Sequence, residues 1–235
     1  LASPTVRNIV GQPRSSFDLE EIMNEGKIFF VNLSKGRLGS DDSNILGSML
    51  VTRMQFEAMR RIRIPEEERP YFNLYVDEFQ NFAAAGSFAS ILSEARKYHL
   101  CLNLTHQYIA QLPEEVQDAV FGNVGTIISF ALGAPDARVM AGEFAPYFTE
   151  EDIINLDAYN VYMELMVEGM SSSPFSAVTL PRPEAPEVSR SEQILKKSRE
   201  KYGRPRDQVA EAISRWSKTQ FDLGMAKAEE ARKSS

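Results

Sequence analysis

The sequence predicts an α/β fold: a parallel sheet with helices on both faces, an antiparallel edge hairpin and a C-terminal helical tail. Three observations carry that expectation. Short β-rich apolar runs recur along most of the chain. Stretches with apolar residues at helical spacing stand between most of them, and strand alternating with helix is the pattern of a parallel sheet covered by crossover helices. After the Pro-rich segment PRPEAPE at 181–187 the alternation stops and charged helical patterns take over.

The elements follow in order. KIFFVNL at 27–33 reads as the first strand. The stretch 43–62 places Ile45, Leu46, Met49, Leu50, Phe56 and Met59 close to one helical face. FNLYVD at 72–77 is the second strand and FASILSEARKY at 88–98 the next helix, followed by the strand LCLNLT at 100–105 and the helix PEEVQDAVFG at 113–122. TIISFAL at 126–132 is the fourth strand, and VYMELMVEG at 161–169 with PFSAVTL at 174–180 reads as an antiparallel hairpin on the sheet edge. Beyond the linker, SEQILKKSREKY and the stretch from Pro205 read as two charged helices broken at Gly203-Arg204-Pro205, with Trp216 as an apolar anchor. No internal repeat is visible.

Composition narrows the function classes. The chain has 235 residues, 43% hydrophobic and 25% charged, the profile of an ordinary globular protein. No apolar run approaches the roughly 18 to 20 residues of a membrane helix. A single cysteine, Cys101, excludes a disulfide framework within one chain, and a reducing, cytoplasmic setting is expected. The net charge of −7 argues against a uniformly basic nucleic-acid glove. It is unevenly spread, however: residues 182–235 hold 13 Lys and Arg against 9 Asp and Glu, a surplus of +4 that leaves −11 for the body.

In an open parallel sheet, ligands bind at the carboxyl ends of the strands, so the residues just after each apolar run are the ones to inspect. They are Ser34-Lys35-Gly36-Arg37, Asp77-Glu78, His106-Gln107 and Gly133-Ala134-Pro135-Asp136. The pair Asp77-Glu78 is the most informative, because adjacent carboxylates at the tip of an apolar strand need a partner. A strand-end acid that holds Mg²⁺, followed by one that polarises the attacking water, is the arrangement of nucleotide triphosphatases. The plain structural reading is that such residues cap the next helix or form a solvated turn.

Four stretches, KIFFVNLSKGRLG, NLYVDEFQNFA, ASILSEARKYHLCLNLTHQY and DAVFGNVGTIISFALGAPDA, resemble the RecA-like motor ATPases of the FtsK/HerA group, most closely the TraG/TraD-like coupling ATPases of conjugation and type IV secretion. The resemblance runs from about residue 17 to 180. It implies that Asp77 and Glu78 form Walker B, with Asp77 holding Mg²⁺ through water and Glu78 polarising the lytic water. It also implies that Gln107 senses the γ-phosphate and that Arg96 is an arginine finger acting on the neighbouring subunit's nucleotide, with Arg138 as a rival finger. ATP and Mg²⁺ are the implied cofactors. A fixed guanidinium suits that role because the transition state spreads negative charge over the phosphate oxygens. Ala95, Ile91 and Leu92 are expected to anchor the helix face beneath Arg96.

The P-loop, G-x-x-x-x-G-K-[ST], is absent from this sequence; Glu25-Gly26-Lys27-Ile28 has Gly-Lys but opens a strand. The resemblance therefore implies residues 1–181 as the C-terminal portion of a P-loop NTPase domain, with 182–188 as a linker and 189–235 as a charged helical tail. On its own such a portion is expected to have an incomplete site. The parent implied is a hexameric DNA translocase, attached to the inner membrane through a region outside this sequence. Lys35 and Arg37 are candidate DNA contacts, whereas Arg60, Arg61 and Arg63 lie beside acidic residues and read as a self-neutralising surface. The tail helices are candidates for a secretion or relaxosome partner. The alternative from another class is a non-catalytic, degenerate ATPase domain that serves as an assembly or docking module.

Overall fold

The computed structural model describes residues 3–83 and 87–233, and for Ser87 and 220–233 the backbone alone. The chain divides into two compact units, one made of 1–47 with 185–235 and the other of 48–184.

In the first unit, α1 (Pro4–Val10) begins at Ser3, whose hydroxyl accepts from the Val6 N–H. Asp18 caps α2 (Leu19–Asn24) by accepting from the N–H groups of Glu20 and Glu21. Between α2 and the short α3 (Lys35–Leu38) runs KIFFVNL, which the sequence reads as a strand. The structure corrects this: residues 27–33 pair with no strand among the described residues, and Ile28 and Phe30 are 84% and 91% exposed. Helix α4 (Ser40–Arg60) begins in this unit and ends in the other.

The second unit holds all the strands among the described residues. β1 (Phe72–Val76) and β2 (Leu100–Leu104) pair in parallel, Phe72 opposite Leu100 and Val76 opposite Leu104. The crossover between them is α5 (Ser87–Glu94), extended by a 3₁₀ turn over Ala95–Tyr98. Phe88, Ile91 and Ala95 are buried at helical spacing, so one stripe of this crossover faces the core. Ile91 and Ala95 are thus the anchors expected beneath Arg96, while Leu92 is only half-buried.

After α6 (Glu114–Asn123), the run 126–132 supplies β3 (Ile127–Ser129), which does not extend the parallel pair. It pairs antiparallel with β4 (Asn160–Glu164), and β4 pairs antiparallel with β7 (Phe175–Val178). Direction is set by partners more than thirty residues away, which the local pattern of an apolar run does not encode. The expected hairpin is present, with β5 (Met166–Val167) and β6 (Met170–Ser171) at its tip. Glu168 and Gly169, both at positive φ, make the two-residue turn. Beneath this sheet α7 (Ala134–Glu143) and α8 (Glu150–Ile154) bury Ala137, Met140, Phe144 and Ile153, with Phe148 stacked on Tyr162. Parallel strands, an antiparallel hairpin and covering helices make this an α/β protein.

The C-terminal helices belong to the first unit. α9 (Ser191–Tyr202) and α10 (Arg206–Lys233) break at Gly203-Arg204-Pro205 as the sequence predicts. The expected anchor is different: Trp216 is 55% exposed, and among the described side chains of α10 the buried one is Val209, on a helix that meets α1. No helix among the described residues is long and apolar enough to cross a membrane.

Candidate functional site

β1 and β2 end together, and the polar residues that follow them meet at one rim. The ladder continues one step past the strands: the Thr105 N–H donates to the Val76 carbonyl at 3.1 Å, and the Phe79 N–H donates to the Thr105 carbonyl at 3.0 Å. Asp77 and Thr105 therefore stand side by side, and the Thr105 hydroxyl donates to Asp77 Oδ1 at 2.5 Å. Gln107 Nε2 donates to Glu78 Oε1, and Gln80 Nε2 donates to Glu78 Oε2 at 2.7 Å. Both oxygens of Glu78 are thus held by neutral amides, which orient the carboxylate without neutralising it.

The turn is held from below. Phe79, 1% exposed, stacks on Phe88 and meets His106 edge to face. Burial pushes the His106 pKa down, opposed by the Tyr108 backbone and the Asp136 carboxylate, so the ring is a neutral packing group. Asp136 is itself buried and accepts from the Ile109 N–H at 3.2 Å, which ties the segment after Gln107 to the start of α7. Glu78 has φ 53° and ψ 44°, a left-handed conformation that a residue with a Cβ adopts at a cost.

The sequence expectation of a buried acid pair needs correction. Asp77 is exposed and Glu78 half-buried, because β1 alternates and Tyr75 is 75% exposed. Their need for partners is met by Thr105, Gln80 and Gln107, of which the first two were not singled out in the sequence. Thr105 was open to detection from register alone, since it follows the strand partner of Val76.

Of the other candidates, Arg96 lies in the 3₁₀ turn before β2, at the amino end of the strand pair. Five strand residues separate that turn from the rim, a span of roughly 16 Å. Arg96 is exposed and does not meet Glu78 or Gln107 of its own chain. Arg138 is an exposed residue of α7, 3.5 Å from Glu150. Lys35 and Arg37 lie on α3, in the other unit. Arg61 belongs to no surface at all: it is 1% exposed and donates to backbone carbonyls, and Arg60 pairs with Glu57 at 2.9 Å.

The rim suits a hydrated Mg²⁺ better than a metal held by protein alone. Among the described residues no three metal-ligating side chains cluster. Mg²⁺ typically keeps several waters and takes one or two carboxylates plus phosphate oxygens, and Asp77 offers one accessible carboxylate. The Gln80 Oε1 is buried and has no hydrogen-bond partner, an acceptor left beside the carboxylates.

Residues 72–158 match the model of a family described as the TraM recognition site of TraD and TraG. The matched segment takes in β1 through α8, and with them Asp77, Glu78, Arg96, Gln107 and Arg138; Lys35, Arg37 and the C-terminal helices lie outside it. No curated protein matches the sequence. Among solved structures, the bacterial conjugative coupling protein TrwBdeltaN70 is similar with 14% identity and a TM-score of 0.49 over 60% of this chain and 38% of that one. The genome packaging NTPase B204 of Sulfolobus turreted icosahedral virus 2, in complex with AMPPCP, is similar with 13% identity and a TM-score of 0.42 over 74% of this chain and 76% of that one. The chain thus spans 38% of the length of the coupling protein it resembles. Within the matched segment, the convergence of acids and amides lies at the end of its first two strands.

Proposed function

We propose that this chain is the C-terminal, Walker B-bearing portion of a ring-forming ATPase that moves DNA in conjugation or type IV secretion. The observation that carries the reading is the meeting of Asp77, Glu78 and Gln107 at the carboxyl ends of two parallel strands. Asp77 would hold Mg²⁺ through water, and the metal supplies charge neutralisation at the phosphates. Glu78, oriented by two amides, accepts a hydrogen bond from the attacking water. Gln107 bonds Glu78 from one side and is placed to exchange that bond for a phosphate oxygen, so it reports whether the phosphate is present. Arg96, at the far end of the strands, serves the nucleotide of a neighbouring subunit, with Arg138 as the rival. The phosphate cradle comes from a P-loop outside this sequence. Lys35 and Arg37 contact the DNA backbone. The parent is a hexamer attached to the inner membrane, facing the cytoplasm.

A second reading has its own support, because the matched family is described by recognition of TraM rather than by catalysis. In that reading the segment is a docking module and the acids are a hydrogen-bonded turn. The sequence expectation put partner contact in 189–235, whereas the family match lies on 72–158.

ATP hydrolysis by the full-length polypeptide, with and without single-stranded DNA, separates the two. DNA-stimulated turnover that falls by about 10² or more in Glu78→Gln supports the motor. A full-length protein that binds ATP without turning it over supports the docking module.

A further inference from the structure

We propose that Arg61 and Arg69 are positioning residues for Arg96, clamping the backbone of the turn that carries it. The proposal rests on the reading of Arg96 as a donor to a neighbouring subunit's nucleotide. Arg96 sits in the 3₁₀ turn Ala95–Tyr98, whose final carbonyls have no helical partners. Those carbonyls are taken up by two guanidiniums. Arg69 Nη1 donates to the Lys97 carbonyl at 2.7 Å, and Arg61 Nη1 donates to the Tyr98 carbonyl at 2.9 Å. Arg61 Nη1 also donates to the Pro70 carbonyl at 3.0 Å, and Arg69 Nε donates to the carbonyls of Arg61 and Ile64 at 3.0 and 2.8 Å.

The clamp closes on itself. His99, in the left-handed region at φ 52°, ends the turn, and its Nδ1 donates to the Arg69 carbonyl at 2.7 Å. Tyr71 stacks flat on the His99 ring with centroids 4.4 Å apart, and the Phe72 N–H donates to the His99 carbonyl at 2.9 Å. Ile91 and Ala95 fix the underside of the turn in the core. The Arg96 carbonyl accepts from the His99 N–H, while its side chain is left exposed on a backbone held from both sides.

Two cations side by side repel, and burial together with the Arg69 charge pushes the Arg61 pKa down. A turn that needed only its carbonyls satisfied has cheaper solutions, such as water or a glycine cap. Planar guanidiniums with forked donors instead fix direction, which a flexible ammonium does not. Misplacing a reacting group by 1 Å costs about 10²-fold in rate, so a finger on a long side chain depends on a fixed base.

Two measurements on the full-length polypeptide test this, using Arg69→Gln and Arg69→Lys, which spare the more buried Arg61. The first is hydrogen exchange at the amides of residues 97–100. Arg69→Gln is expected to speed exchange there by about tenfold while the amides of Leu102 and Leu104 keep their protection. Unchanged exchange in the turn overturns the clamp. The second is a double-mutant cycle on turnover with Arg96→Ala. Arg69→Gln alone is expected to lower kcat by about tenfold or more with KM for ATP little changed, to be partly rescued by Arg69→Lys, and to add nothing in the Arg96→Ala background. Losses that multiply overturn the positioning role. If Arg96→Ala alone leaves turnover intact, the finger reading itself falls, and the exchange result then stands as a property of the turn only.

Discussion

Glu78 combines a chemical demand with an awkward backbone. Its left-handed conformation favours glycine, while the proposed chemistry needs a carboxylate. Glu78→Gly is therefore expected to be more stable than Glu78→Ala by about 1 kcal/mol, both lacking the carboxylate; denaturant midpoints of the two variants check it. His106 gives a pH signature. Its folded pKa lies below the ordinary value, so the unfolded chain takes up the proton first, and stability falls as pH drops below about 6.5 toward the folded pKa. His106→Gln should flatten that part of the stability profile, followed by Tm against pH. At this scale the position of Asp77, Glu78 and Gln107 just past the ends of two neighbouring strands was legible from the apolar runs that precede them. The sequence was misleading at Arg61, where a basic run beside acids looked like surface. The signal was present, since Met54, Ala58 and Arg61 fall at i, i+4 and i+7 on one buried stripe.

Among the elements, helices were the most legible, because spacing within one segment decides their faces. α4, α5 and α6 appear where their apolar residues recur. Strand identity was legible for every apolar run but KIFFVNL, and pairing was legible for the parallel pair and the hairpin but not for β3, since register and direction depend on residues far along the chain. β3 joined β4 and not the parallel pair, and KIFFVNL, strand-like in composition, is unpaired in the described structure. The short helix α3 carries the candidate DNA contacts Lys35 and Arg37, two residues apart in sequence. Replacing both with alanine in the full-length polypeptide is expected to weaken single-stranded DNA binding without changing base preference. The slope of log K against log salt should become shallower by roughly 1.4 if both contact phosphates, read by fluorescence titration at several salt concentrations. An unchanged slope removes α3 from the DNA surface.

On the scale of the whole molecule, the separation of Arg96 from its own chain's acids makes subunit mixing informative. Subunits carrying Arg96→Ala keep Glu78, and subunits carrying Glu78→Gln keep Arg96. Each kind alone is expected to be inactive, and mixtures should recover part of the turnover, because some interfaces then join an intact acid to an intact arginine. No recovery at any ratio speaks for a donor within the same chain, and turnover retained by Arg96→Ala alone speaks for Arg138. The same separation bears on symmetry. The rim and the Arg96 turn sit at opposite ends of β1 and β2, so a contact that joins them uses two different patches and is head-to-tail rather than two-fold. Such a contact has no natural stopping point short of closure. An open arc always leaves one terminal subunit with acids and no arginine, and the other with an arginine and no acids. Turnover per subunit should then rise as arcs lengthen and reach its full value only when the last gap is filled.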